Sequence, residues 1–152
     1  MDIRTDEDGW AIDQPTPDQV KAIRSKLGWS AQKSANVVHI TQPTWTQYEK
    51  GVTQMPIGLW NLFLVKAGEL RPAVKDIPIV RHLDIAFRPT AEDVIKLRHP
   101  STQTEAADRF GMKYQQWQQW ETGKANIKPW TFEYFALRLG KLRDFQNLFG
   151  EW

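Results

Sequence analysis

The sequence predicts an all-α protein built from two tandem copies of one small helical unit. The chain repeats at a constant offset of 72 residues, and residues 35–68 and 107–140 share seven identical positions without a gap. In both copies, apolar residues recur three and four positions apart between Pro, Gly and hydroxyl residues, the pattern of short amphipathic helices with defined ends. Neither copy contains a convincing strand. One structural unit used twice accounts for these observations.

Length and composition set the class of protein. The 152 residues are 41% hydrophobic and 25% charged, which is typical of a soluble globular protein of one or two small domains. The eight Trp, seven Phe and three Tyr residues are enough for two small cores. The lack of cysteine excludes a disulfide framework, thiolate zinc sites and a cysteine nucleophile. No apolar run approaches the roughly 20 residues of a membrane span, and the acidic start lacks the pattern of a signal peptide, so we expect a cytoplasmic protein without membrane contact.

Residues 1–13 are predicted to form an acidic N-terminal arm. Arg4 is the one basic residue there and stands against five acidic side chains, while the whole chain has a net charge of +2. Such a charge pattern favours a solvated, disordered tail. The alternative is an acidic segment that competes with phosphate for the basic surface of the protein. In either case we expect the arm to lie outside the hydrophobic core.

The first helical unit is expected over residues 14–70. Thr16-Pro17-Asp18-Gln19 has the residues of a capping box, with Pro at the first helical position. His39-Ile40-Thr41 is predicted to form a tight turn between the second and third helices, and Thr41 can cap the third. The predicted helix starts are Thr16, Ser30, Thr41 and Pro56, and the predicted stops are Gly28, Gly51 and Gly68.

The second unit is expected over residues 89–152, with the same order of signals. Thr90 followed by Asp93 indicates a helix start, and Thr102 followed by Glu105 has the residues of a capping box. Gly111 stands in the turn before the third helix, where a positive φ is often needed. The third helix is expected to stop at Gly123, the fourth to open at Pro129, and a further helix to follow from Leu142 to Phe149.

Two segments leave alternatives open. Residues 71–88 are too apolar for a flexible linker, so we expect an ordered connector packed between the units or a surface used for self-association. The C-terminal helix carries an apolar stripe that either completes the core of the second unit or forms the interface of a homodimer, since two-fold dimers are the commonest assembly. The stripe consists of Leu142, Phe145, Leu148, Phe149 and Trp152.

The second and third helices of each copy carry the most specific signal. A small residue lies within the second helix, an apolar residue lies within the third, and an aromatic-Glu-x-Gly sequence ends the third. In the two copies these are Ala35 and Ala107, Trp45 and Trp117, and Tyr48-Glu49-Lys50-Gly51 and Trp120-Glu121-Thr122-Gly123. The pattern resembles the helix-turn-helix of the phage repressor and Cro (XRE-like) family over about residues 16–70 and 90–140. Gly111 matches the family's turn glycine, whereas His39 departs from it.

The resemblance implies two tandem lambda-repressor-like helix-turn-helix domains. In that fold the third helix buries one face, which holds it rigidly, and exposes another that reaches base edges. We therefore expect Trp45 and Trp117 to be buried. Glutamines on the exposed face suit base reading because Gln pairs bidentately with adenine, and threonine methyls suit contact with thymine methyls. The alternative interpretation is a polar face that is merely solvated.

The candidate DNA-contacting residues follow from this exposed face and from the resemblance. Gln103 is included because the family often has a contacting Gln at the start of the second helix, where the first copy has Ala31. The candidate base-contacting residues are Thr41, Gln42, Thr44 and Gln47 in the first copy and Gln103, Tyr114, Gln115, Gln116 and Gln119 in the second. The candidate phosphate-contacting residues are Lys33, Lys50, Lys113, Lys124 and Lys128, with ordinary surface lysines as the alternative. Glu49 and Glu121 are interpreted as structural residues that close the end of the third helix by hydrogen bonds.

The sequence gives no support for an enzyme. His39, His82 and His99 lie far apart without metal-binding spacing, and neither a phosphate-binding loop nor a nucleophile elbow is present. We expect no metal and no cofactor. The resemblance implies a sequence-specific double-stranded DNA-binding transcriptional regulator, a repressor or autoregulator of a phage or other mobile element. Two alternatives stay open: a protein-interaction module on the same fold, such as an inhibitor of a host defence complex, and an RNA-binding regulator.

Overall fold

The computed structural model describes residues 3–78 and 88–149, and over these residues the protein is all-α, as predicted. The first unit contains α1 (Pro17–Leu27), α2 (Ala31–Val37), α3 (Gln42–Lys50) and α4 (Ile57–Lys66). The second contains α5 (Ala91–Arg98), α6 (Gln103–Arg109), α7 (Tyr114–Thr122) and α8 (Pro129–Leu139). A 3-10 helix (Leu142–Phe145) then leads into the short helix α9 (Gln146–Phe149), where a further helix was expected. No helix in the described part of the chain is long and apolar enough to cross a membrane.

The predicted helix ends are confirmed at most positions. Thr16 and Thr102 form complete capping boxes, and Thr90 does so with Asp93. The hydroxyls of Ser30 and Thr41 accept hydrogen bonds from the backbone N–H groups three residues later. The remaining ends are Pro56, which precedes α4, the left-handed glycines Gly28, Gly51, Gly123 and Gly140, and Gly68, which lies just beyond the end of α4.

Each unit is built around the same tryptophan–phenylalanine pair. Trp45 and Trp117 are fully buried, as predicted. The ring centroid of Trp45 lies 4.8 Å from that of Phe63 on α4, and Trp117 lies 6.1 Å from Phe135 on α8. These contacts fix one face of α3 and of α7 against the last long helix of the same unit, so the opposite face is directed away from the core.

The N-terminal arm belongs to the core, and the expectation that it lies outside is wrong. Trp10 and Ala11 are buried, with only 4% and 3% of their surface exposed. The arm turns back on itself, with Thr5 pairing with Ala11, and the side chain of Asn61 binds both the N–H and the carbonyl of Ala11 at 2.8 and 3.0 Å. The acidic charge of the segment predicted a solvated tail, but the gain from burying one indole outweighs it because the described acidic side chains, Asp6, Glu7, Asp8 and Asp13, stay at the surface.

The two units pack against each other through α4 and α8, the fourth helix of each. Gly58 permits close approach, because a Cβ at this position would lie 3.0 Å from the Tyr134 ring and 3.2 Å from that of Trp130. Further along the contact, Lys66 and Glu133 form a buried ion pair with an Nζ–Oε1 distance of 2.5 Å. The interface is therefore both close-packed and charged.

His39 extends this interface to the turn before α3. It occupies the position equivalent to Gly111, and both residues have a positive φ, 61° and 64°. The left-handed conformation is uncommon for a residue with a Cβ. The His39 Nε2 atom lies 3.1 Å from Glu133 Oε1. The departure from glycine thus places an imidazole against the buried carboxylate of the other unit.

The connector and the C-terminal stripe are described in part. Over residues 71–78 the connector is ordered: the Ala73 N–H donates to the carbonyl of Asp8, and Asp76 pairs with Arg143 at 2.9 Å. The rest of the predicted connector, residues 79–87, lies outside the described residues. In the stripe, Leu142 and Phe145 are buried and Phe149 packs on Phe132, which favours the core interpretation, while Trp152 lies outside the described residues.

Candidate nucleic-acid interface

A carboxylate at the end of α3 ties that helix to the first helix of its unit. Glu49 accepts two hydrogen bonds from the Arg24 guanidinium, at 2.6 and 2.8 Å, and a third from the indole N–H of Trp45 at 2.5 Å. The same guanidinium donates to the carbonyl of Trp29, in the segment between α1 and α2. We call Arg24, Trp45 and Glu49 the first latch. It holds α1, α3 and the α1–α2 loop as one body.

The second unit repeats this arrangement in every element. Glu121 accepts from Arg98 at 2.5 and 3.0 Å and from the Trp117 indole at 2.6 Å, and Arg98 also donates to the carbonyl of Ser101. Arg98, Trp117 and Glu121 form the second latch. The structural role predicted for the two glutamates is thus confirmed, with partners that the sequence interpretation had not named.

Both latch carboxylates are held ionised. The hydrogen bonds from Arg24 are the main reason that the pKa of Glu49 is lowered. At Glu121, desolvation favours the neutral acid, but the hydrogen bonds from Arg98, Gln103 and Trp117 outweigh it and lower the pKa. A carboxylate whose pKa is lowered on folding adds stability above its unfolded pKa of about 4.3, and this contribution is lost as the pH falls through the folded-state pKa.

We expect Glu49→Gln and Glu121→Gln each to lower the free energy of unfolding by about 1.5–3 kcal/mol at neutral pH, since each removes charge-assisted hydrogen bonds from a half-buried site. Urea denaturation followed by tryptophan fluorescence measures this loss. The exposed control Asp108→Asn should stay within about 0.5 kcal/mol of the wild type. Equal stability of wild type and both Gln variants at pH 7 would show that the latches do not hold the helices.

The exposed face of α7 consists almost entirely of amide side chains. Gln115, Gln116, Gln118 and Gln119 are exposed, as is Tyr114 at the start of the helix. Gln118 belongs to this face, although it was not among the candidate base contacts. A shallow groove beside the helix brings three of these side chains together with two residues at the C-terminal end of α7. It is lined by Gln115, Gln118, Gln119, Thr122 and Lys124.

The exposed face of α3 has shorter side chains, and two of them bind each other. Gln42 and Gln47 are exposed. The hydroxyls of Thr41 and Thr44 lie 2.9 Å apart, and the Thr41 oxygen also caps the helix by accepting from the Thr44 N–H. Both hydroxyls thus have a partner within the helix. If this helix contacts a base, the contact would involve mainly the two glutamines and the methyl groups of these threonines.

Gln103 lies apart from the other candidate base contacts. It is half-buried, and its amide donates to Glu121 Oε1 at 2.9 Å. Its amide N–H is therefore part of the hydrogen-bond network of the second latch. Ala31 stands at the corresponding position of the first unit, where the Glu49 carboxylate has only Arg24 and Trp45 as hydrogen-bond partners among the described contacts.

The five candidate phosphate contacts are all exposed. Lys50 ends α3, and Lys113 and Lys124 stand before and after α7, whereas Lys33 lies on α2 and Lys128 precedes α8. Lys33 lies over the Trp29 ring at 4.9 Å from its centroid, a cation–π contact that steadies its position. Lys113 occupies the cap position of α7 without making a side-chain cap. The first turn of α7 therefore combines a lysine with backbone N–H groups that no side chain caps, a combination suited to phosphate.

Apart from Gln103, the candidate base contacts lie on two equivalent surfaces, one on each unit. Each consists of a polar helix face, flanking lysines and a latch behind it. Sequence reasoning missed the interface residues His39, Lys66 and Glu133, and His39 was marked only by its departure from the turn glycine. No model of a known protein family, no curated protein and no solved structure matches the chain.

Proposed function

We propose that this protein binds double-stranded DNA in a sequence-specific manner and regulates transcription, with α3 and α7 as the two recognition helices. The observation that carries the proposal is the duplicated surface: a solvated polar helix face is backed by a buried tryptophan and an Arg–Glu latch in both units. A helix face that is merely solvated does not need to be held rigidly, whereas a helix that reads base edges does. The resemblance to the phage repressor and Cro family agrees with this role for the two helices.

The proposal is tested by selection from a library of random 30-base-pair DNA duplexes with the full-length chain at modest salt. We expect enrichment of one sequence motif and a retarded band for the enriched duplex in a gel shift. Single-stranded RNA of the same sequence should not compete. No enrichment and no retarded band would contradict the proposal and favour the protein-interaction alternative, and preferential binding of the RNA would favour an RNA-binding regulator.

The two recognition helices should contribute unequally. We expect Gln115→Ala and Gln119→Ala on α7 to weaken binding to the enriched duplex more than Thr44→Ala and Gln47→Ala on α3. A lost bidentate base contact costs about 1–3 kcal/mol and relaxes preference at one base pair, whereas the Thr44 hydroxyl already has a partner in Thr41. Binding isotherms of the four variants measure the order, and equal losses at both helices would contradict it.

Lys124 should act on phosphate rather than on bases. It is exposed beside the groove at the end of α7. We expect Lys124→Ala to weaken binding to the enriched duplex and to an unrelated duplex by the same factor. The slope of log affinity against log salt concentration should fall by about one, because one phosphate contact releases about one counterion. Lys26→Ala, which removes a lysine paired with Glu69, is the control and should leave the slope unchanged.

A further inference from the structure

We propose that a single chain is an intramolecular pseudo-dimer and that its DNA ligand is an imperfect inverted repeat, with both half-sites bound by one molecule. The inference rests on the proposed function and adds the arrangement of the DNA site and the stoichiometry. Neither follows from the sequence repeat, because tandem units can be related by translation or by rotation. The contacts between the units distinguish these cases.

Equivalent positions of the repeat meet at the interface. Gly58 and Trp130 are separated by the repeat offset of 72, and the two residues lie in contact between α4 and α8. In a two-fold dimer, the same surface of both subunits forms the interface, and equivalent residues meet near the axis. A head-to-tail arrangement uses two different surfaces instead. The Gly58–Trp130 contact therefore places an approximate two-fold axis between α4 and α8.

Corresponding elements of the two units lie near each other on either side of this axis. On one side, the turn after α2 reaches the fourth helix of the second unit through His39 and Glu133. On the other side, the end of α6 and the start of α4 line one cleft of about 310 Å³, to which Phe110 and Ile57 both contribute. The second helix of each unit thus ends beside the fourth helix of the other, as a two-fold axis requires.

The buried ion pair and the N-terminal arm occupy corresponding places. Lys66 and Glu133 meet on one side of the axis, and the equivalents of these two residues are Arg138 and Asn61. Asn61 binds the backbone of Ala11, and the Arg138 guanidinium lies 4.7 Å from the Trp10 ring centroid. The arm therefore fills the place where the second copy of the ion pair would lie. It contacts both units there, Asn61 of the first and Arg138 of the second.

This arrangement determines the DNA site. The same approximate two-fold relates α3 to α7, and the packed interface fixes their relative orientation. Duplex DNA has local two-fold symmetry, so two recognition helices related in this way match half-sites in inverted orientation. The exposed side chains differ between α3 and α7, which makes the two half-sites different in sequence. A homodimer is not needed to supply a second recognition helix.

The test uses the motif that the random-duplex selection yields. Three probes of equal length are compared with the full-length chain: the inverted repeat, the same two half-sites as a direct repeat, and one half-site alone. We expect the inverted repeat to bind at least about 100-fold more tightly than the single half-site, because the second contact is intramolecular. The direct repeat should bind no better than the single half-site, and sedimentation should give one chain per inverted repeat.

Three results would overturn the inference. Equal or tighter binding of the direct repeat would show a translational arrangement, and two chains per inverted repeat would show that each chain supplies one half-site. Both leave the proposed function intact. Failure to enrich any duplex contradicts the proposed function itself, and the inference fails with it.

Discussion

Replacing Glu133 with leucine is expected to lower the free energy of unfolding by about 3–5 kcal/mol, because it leaves Lys66 charged and buried without its counter-ion. The Lys66 side chain is 2% exposed, and without Glu133 its ammonium group keeps only the carbonyl of Val37 as a described hydrogen-bond partner. The same change removes the carboxylate that faces the His39 ring. Denaturation in urea, followed by tryptophan fluorescence, measures the loss.

The double variant Lys66→Met, Glu133→Leu distinguishes the effect of the unpaired charge on stability from the effect of altered packing. Replacing both members of a buried pair with apolar residues is often neutral or stabilising, so the double variant should regain most of the stability that Glu133→Leu loses. Glu69→Gln is the control, since its partner Lys26 has a side chain that is 67% exposed, and it should cost no more than about 1 kcal/mol. A Glu133→Leu variant no less stable than Glu69→Gln would show that the ion pair is not buried in solution.

The interface pair also gives the protein a defined response to acid. Desolvation opposes ionisation of Glu133, but the charge of Lys66 and the hydrogen bond to His39 outweigh it and lower the pKa of the carboxyl group. The pair therefore stabilises the fold above the unfolded pKa of about 4.3, and its contribution falls as the pH drops through the folded-state pKa. The pKa values of Glu49 and Glu121 are also lowered, so their contributions to stability fall with pH in the same direction. The double variant Lys66→Met, Glu133→Leu should consequently lose less stability than the wild type as the pH is lowered from about 5 to the pH at which the protein unfolds in acid. Urea titrations at a series of pH values measure this difference.

Local signals predicted the helices well, because each depends on neighbouring residues. The capping box of Thr16 with Gln19 and that of Thr102 with Glu105 are formed from groups three residues apart. The exposed face of α7 follows equally from helical periodicity once Trp117 is placed in the core. These features need no knowledge of the rest of the chain, so the sequence contains all that determines them.

Contacts between distant segments were not predictable in this way. Lys66 and Arg138 occupy equivalent positions and are chemically alike, yet Lys66 is buried and Arg138 is exposed. What distinguishes them is the partner: Glu133 faces the lysine, whereas Trp10 from the arm faces the arginine. The same holds at the candidate site, where the amide N–H of Gln103 is engaged by Glu121 from another helix. A charge predicts a solvated side chain only until a tertiary partner offsets the cost of burial.

The N-terminal arm offers the sharpest test of such a distant contact. We expect Trp10→Ala to lower the free energy of unfolding by about 3–5 kcal/mol, the range for truncating a buried large aromatic residue. The indole is 4% exposed, packs edge-on against Tyr134 with ring centroids 5.8 Å apart, and is covered by the Arg138 guanidinium. Since both partners belong to α8, the loss of the indole should weaken the interface between the two units and not only the packing of the arm.

Ile12→Ala is the matched control on the same segment. Ile12 is 49% exposed, so its truncation should change the free energy of unfolding by no more than about 0.5 kcal/mol. If the arm were a solvated tail, as its acidic charge alone predicts, Trp10→Ala and Ile12→Ala would be equally harmless. A difference of several kcal/mol between two substitutions only two residues apart requires that the chain at Trp10 packs against the second unit, as its contacts with Tyr134 and Arg138 predict.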